Sequence, residues 1–124
     1  MATIVIADDN SDIRELLAIC LKSCGFDCLL ASNGYQVMEM LTANRVDMVL
    51  MDMNMPGQDG WMTTAQIRAS IAHKKLPIIA ITAYSMEGDR ARALHAGCNL
   101  FHCKPLAFEN LRRDIVQLLE SKRA

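Results

Sequence analysis

No stretch of this chain comes near the roughly 20 consecutive apolar residues that cross a bilayer. A secretion signal is missing as well, because Ala2 to Ala7 runs straight into Asp8 and Asp9. So is paired CxxC spacing. The five cysteines, Cys20, Cys24, Cys28, Cys98 and Cys103, are odd in number. Cys20 and Cys24 stand four apart on an expected helix, yet no His lies near them in sequence, so all five read as reduced thiols and small core residues. These absences point to a cytoplasmic protein without membrane insertion. An excess of positive charge is lacking too: 13 Lys and Arg stand against 14 Asp and Glu, a net charge of -1, which argues against direct nucleic-acid binding. With no repeat, low-complexity tract or linker, 124 residues that are 52% apolar and 22% charged make a single domain over residues 1–124.

What is present is unevenly spread. Residues 1–60 hold nine acids and three bases, residues 61–124 five acids and ten bases. Thr3 to Ala7 is a β-branched apolar run that predicts a buried strand, ending in Asp8-Asp9-Asn10. Ser11 reads as the N-cap of a helix carrying Ile13, Leu16, Leu17, Cys20, Leu21 and Cys24, stopped by Gly25. Phe26 to Ala31 predicts a second strand, and Ser32-Asn33-Gly34 opens a helix with Val37, Met40 and Leu41 inward. Val46 to Met51 predicts the third strand and delivers Asp52 at its end. The Met55-Pro56-Gly57 loop then leads to a helix from about Gly60 to Ala72, with Trp61, Thr64, Ile67 and Ile71 on its inner face. Pro77 opens a fourth strand that ends at Thr82, and a helix from about Ser85 to Ala96 is stopped by Gly97. A fifth strand, Asn99 to Cys103, ends at Lys104-Pro105, before a last helix from about Phe108 to Glu120 that buries Leu111, Ile115, Leu118 and Leu119. His73 and His95 read as solvated helix residues, His102 as a strand-face residue.

Strands alternating with helices through short loops imply an α/β fold, a doubly wound parallel sheet of five strands in the order 2-1-3-4-5 with five helices. In that order the topological switch point falls between strands one and three, so Asp8 and Asp9 meet Asp52 outside the carboxyl ends, with Thr82 and Lys104 on the same edge. Three gathered carboxylates repel one another unless a cation sits among them. Oxygen ligands without His or thiolate suit a hard ion, Mg²⁺ or alternatively Mn²⁺. A carboxylate with a bound divalent ion, an ammonium and a hydroxyl is an arrangement for phosphoryl transfer, with Asp52 as nucleophile, Lys104 neutralising the transferring oxygens and Thr82 donating to one of them.

The motifs Asp8-Asp9, Asp52 with Met55-Pro56 and Asp59-Gly60, Thr82-Ala83, Ala96-Gly97 and Lys104-Pro105 resemble, over essentially the whole chain, the receiver domain of two-component response regulators, including single-domain chemotaxis regulators. The resemblance implies the flavodoxin-like receiver fold, and it implies that Asp52 accepts a phosphoryl group from a histidine kinase, a histidine phosphotransfer protein or a small phosphodonor. It implies that Asp9, Asp52 and the backbone carbonyl of Asn54 ligate the metal, with Asp8 assisting through water. Lys104 then pairs with the phosphoryl group, Thr82 and Phe101 form the switch, and the Lys104–Pro105 bond is cis. The output face would be the fourth helix, fifth strand and fifth helix, where Arg90, Arg92, Arg112 and Arg113 stand as a solvated face or as a match for an acidic partner. Such a chain catalyses its own phosphorylation and dephosphorylation and is not a conventional turnover enzyme. It is expected to be a monomer or a weak phosphorylation-linked dimer.

Asn54 and Tyr84 should flank the path of water to the aspartyl phosphate, so both are expected to set its lifetime, with Tyr84 impeding in-line attack. Phe101 lacks a hydroxyl, so its movement would be governed by packing. A constitutive interaction domain of the same fold is the main alternative. An aspartate-nucleophile phosphatase would want a second acid where Asn54 stands, and a flavodoxin-like cofactor binder would want a phosphate loop where Asp8 and Asp9 stand. Three contexts stay open: a complete single-domain regulator, a relay intermediate, or the receiver of a hybrid kinase.

Overall fold

The apolar runs of strands one, three and four lie side by side in the interior of one parallel sheet, which is why they show no polar alternation. The computed structural model describes residues 2–83 and 88–123. Its elements are β1 (Thr3–Ala7), α1 (Ser11–Ser23), β2 (Asp27–Ala31), α2 (Gly34–Ala43), β3 (Met48–Asp52), α3 (Gly60–Ala69), β4 (Ile78–Thr82), α4 (Asp89–Ala96), β5 (Leu100–Cys103) and α5 (Phe108–Arg123). The strand order is β2-β1-β3-β4-β5, every pair parallel.

Because side chains alternate along a strand, each inner strand feeds two cores. Ile4, Ile6, Met48, Leu50, Ile79 and Ile81 pack on one side with Leu17 and Leu21 of α1 and Leu111 and Ile115 of α5. Val5, Val49, Met51, Ile78 and Ala80 pack on the other with Val37 and Leu41 of α2, Ile67 of α3 and Ala93 of α4. The two-residue period also sorts the strand ends. Asp8, Asp52 and Lys104 continue the rows that face α1 and α5, whereas Thr82 and Phe101 belong to the rows that face α3 and α4.

Several boundaries differ from the sequence expectation. Asn10, not Ser11, caps α1: its side chain accepts from the amides of Asp12 and Ile13, and Ser11 is the first helical residue. Helix α3 stops at Ala69, where the Ser70 amide turns back onto the Ile67 carbonyl. Ile71 consequently lies outside the helix and is 90% exposed instead of facing inward. Leu16 likewise points outward from α1, and His73 sits in the turn after α3. The described part of the fourth helix begins at Asp89; residues 85–87, where the sequence placed its start, are outside the described residues. Helix α5 runs on to Arg123.

The cap assignment is testable. Asn10→Ala should lower stability by about 1 kcal/mol, while Ser11→Ala changes it by only a few tenths; comparison of urea midpoints at constant m-value decides between the two residues.

Candidate functional site

Asp52 is the last residue of β3, between β1 and β4, and only 3% of it is exposed. Asp8 follows β1 directly. Its amide continues the ladder by donating to the Ala31 carbonyl, 3.1 Å, which fixes its carboxylate beside that of Asp52. Asp9 is the exposed member of the group. One carboxylate oxygen from each of the three lies within 4.8 Å of the other two. Lys104 enters from the end of β5, its backbone anchored by donation to the Thr82 carbonyl and followed by a cis bond to Pro105. Its Nζ stands 2.9 Å from Asp8 Oδ2 and 3.3 Å from Asp52 Oδ2.

One ammonium therefore serves two buried carboxylates. Burial pushes the Asp52 carboxyl up to about 6 from 3.8; the Asn54 amide, donating to Oδ1, works against this, Asp8 adds to it, and Lys104 opposes it. For Lys104, burial pulls the ammonium down, but the hydrogen bond and charge of Asp8 and the charge of Asp52 more than reverse this and hold it above the ordinary lysine value. Asp8 Oδ2 is buried and, Lys104 apart, meets no hydrogen-bond donor among the described residues. A buried, under-satisfied oxygen converging with two further carboxylates is what a hard divalent cation needs, so the donor set fits Mg²⁺.

The remaining expected residues divide. Thr82 is 2% exposed at the end of β4, and Asn54 reaches it, Nδ2 donating to Thr82 Oγ1 at 2.9 Å. Asn54 thus touches the nucleophile candidate through its backbone and the hydroxyl through its side chain. Phe101 is half-buried on β5, on the same side of the sheet as Thr82. Tyr84 lies outside the described residues. His102 does sit on the strand face, where its Nε2 meets Asp114 Oδ2 of α5 at 2.7 Å.

Two contributors escape a reading of the sequence. Arg14 donates to the Asp8 carbonyl at 2.7 Å and so braces the acidic turn from α1. Gly60 is the other: a Cβ there would lie 2.6 Å from both the Asp52 carbonyl oxygen and Met53 Cα, so only glycine lets the start of α3 rest on the strand end. Asp-Gly at a helix start was visible; the close approach behind it was not.

The burial of Asp52, with Asp8 beside it, has a sign for stability. The folded chain holds the Asp52 proton more tightly than the unfolded chain, so metal-free stability falls as pH rises from 3.8 to about 6 and stays reduced above that. At about pH 7.5 in a chelator, Asp52→Asn should be more stable than the parent chain by something of the order of 1–3 kcal/mol, and the gap should close below about pH 4. Denaturant curves across that range test it; a variant no more stable at pH 7.5 contradicts the cost assigned to burying the Asp52 charge.

Comparison with known proteins agrees with this geometry. The response regulator receiver domain family matches residues 4–116. Sensor histidine kinase RcsC of Escherichia coli is 32% identical over 120 residues, covering 97% of this chain but 12% of the kinase, so the chain corresponds to a small part of such relatives. The polar-differentiation response regulator DivK of Brucella anthropi is 27% identical over 105 residues, 85% of each chain. Among solved structures, the receiver domain of a Pseudomonas aeruginosa sensor histidine kinase, which holds a magnesium ion in its active site cleft, superposes with a TM-score of 0.88 at 32% identity, covering 96% of this chain and 98% of that one. With its sheet order, its acidic pole and these matches in agreement, the chain belongs to the response regulator receiver domain family.

Proposed function

We propose that Asp52 is the phosphoacceptor of this two-component signalling module. The observation that carries the reading is a buried carboxylate with two further acids and a single ammonium converging on it. Asp8, Asp9 and Asp52, with the Asn54 carbonyl, would hold Mg²⁺ or Mn²⁺, which when bound offsets charge on the phosphoryl oxygens. An Asp52 oxygen attacks the phosphorus of a phosphohistidine. The P–O bond forms as the P–N bond breaks, and the electron pair leaves on the imidazole nitrogen, which takes a proton from solvent. Lys104 exchanges its carboxylate partners for a phosphoryl oxygen, and Thr82 turns its hydroxyl toward another. Movement of Thr82 makes room on the α4 side of the sheet, where Phe101 repacks and changes the α4, β5 and α5 surface.

The surroundings suit both kinds of partner. Beside Lys104, a groove of about 310 Å³ is lined by Ile13, Leu16, Leu17 and Cys20 of α1 and by Leu106 and Phe108. Its apolar walls at the mouth of the site suit a helix of a histidine kinase or phosphotransfer protein presenting its phosphohistidine. A second cavity of about 510 Å³, lined by Arg90, Phe101, His102, Arg113 and Asp114, suits a downstream protein with acidic side chains. The chain works as a cytoplasmic monomer or weak phosphorylation-linked dimer and turns over no substrate but its own phosphoryl group; among the described residues no helix is long and apolar enough to cross a membrane. Asn54, an amide bonded to Thr82, supplies no general base, which disfavours a phosphatase. Asn54 and Tyr84 set the lifetime of the acyl phosphate.

Incubation with acetyl phosphate and Mg²⁺ should add one phosphoryl group to the intact mass. The gain should vanish in a chelator and in Asp52→Asn. A gain that survives either change, or no gain in the parent chain, would sink the assignment.

A further inference from the structure

Helix α4 is poorly equipped to hold its own place. It has eight residues, of which Ala93 is the buried one, and its N-cap, Gly88, lies in the left-handed region and offers no side-chain hydrogen bond. A helix of that length is marginal in water, so its seat must come from tertiary contacts. Helix α3 provides two of them. Arg68 Nε donates to the Gly97 carbonyl at 2.8 Å and Nη2 to Asn99 Oδ1 at 3.1 Å, closing the C-terminal end of α4. Toward the other end, the guanidinium of Arg92, otherwise exposed, lies 4.0 Å from the ring centroid of Trp61.

Trp61 is placed where movement at the phosphoacceptor would reach it. It directly follows Gly60, whose amide donates to the Met53 carbonyl at 3.1 Å and whose Cα sits against the backbone of Asp52 and Met53. Asp52, Gly60, Trp61 and Arg92 thus form a continuous chain of contacts that runs through the start of α3. The ring of Trp61 is half-buried against the core on the α3 and α4 side, and the exposed guanidinium of Arg92 rests on it.

We propose that the Arg92–Trp61 stack is a latch: it holds α4 in the resting seat and couples that seat to Asp52 through the first turn of α3. The cation on the ring favours the docked helix, and its loss shifts α4 toward an undocked population. The coupling half of the proposal rests on Asp52 being the phosphoacceptor; the docking half does not.

Two measurements on the full chain separate these halves. In amide hydrogen exchange of the resting protein, Arg92→Ala should speed exchange at residues 92–97 by about two- to fivefold, the range an exposed cation–π contact supports, with exchange in α5 unchanged. Arg92→Lys, which keeps the charge but loses the flat stacking, should fall between. Equal exchange in the parent chain and Arg92→Ala overturns the latch. In the second measurement, Mg²⁺ with beryllofluoride, a phosphoryl mimic, is added while the emission of Trp61, the one tryptophan, is followed. The parent chain should change its emission, and Arg92→Ala should change less, keeping only the part that reaches Trp61 through Gly60. A full response in Arg92→Ala overturns the coupling. Absence of thermal stabilisation of the parent chain by Mg²⁺ with beryllofluoride overturns the phosphoacceptor reading instead, and the exchange experiment then still decides the docking half.

Discussion

Like charges held at one pole of a parallel sheet govern this structure. Strand order places the ends of β1 and β3 side by side, and the chain puts carboxylates on both. In water such a group would separate; here the ladder hydrogen bonds of Asp8 and Lys104 keep the backbone where repulsion would move it. The fold thus carries a local electrostatic penalty that its two apolar cores outweigh. Lys104 relieves part of it, and a divalent cation bound among the three carboxylates would relieve more. The loop after β3, the brace from Arg14 and the close contact at Gly60 all serve to keep the crowd together.

Legibility in the sequence followed the physics of each feature. Strand ends were readable because a buried apolar run that stops at Asp8, Asp52 or Thr82 announces its own edge. Helix ends were harder. Ile71 continues the helical period of Trp61, Thr64 and Ile67, and nothing before it resembles a stop; the helix ends because the chain turns toward β4, a tertiary demand. Asn10 and Ser11 both offer a capping oxygen, and only the extended backbone at Asn10 chooses between them.

The gathering of the site residues was legible and their supports less so. Residue type and strand-end position were enough to single out Asp8, Asp9, Asp52, Thr82 and Lys104 as a group. Arg14 acts through a backbone carbonyl that any residue at position 8 would have, so its sequence context carried no mark. The same holds for the pairing of His102 with Asp114, which depends on how α5 is rotated above β5, and for Arg92 over Trp61, which depends on two helices meeting.

The two-residue alternation of the sheet acts as an address system. Sliding β5 by one position would bring Cys103 to the acid pole in place of Lys104 and turn Phe101 toward α5, exchanging the residues of the two sides at once. Point substitutions in the helices alter how firmly parts are held, but a single-residue insertion or deletion inside a strand exchanges the residues presented to α1 and α5 with those presented to α3 and α4. The evolutionary freedom of this chain in length therefore lies in its loops, and its five short strands are bound to their present lengths.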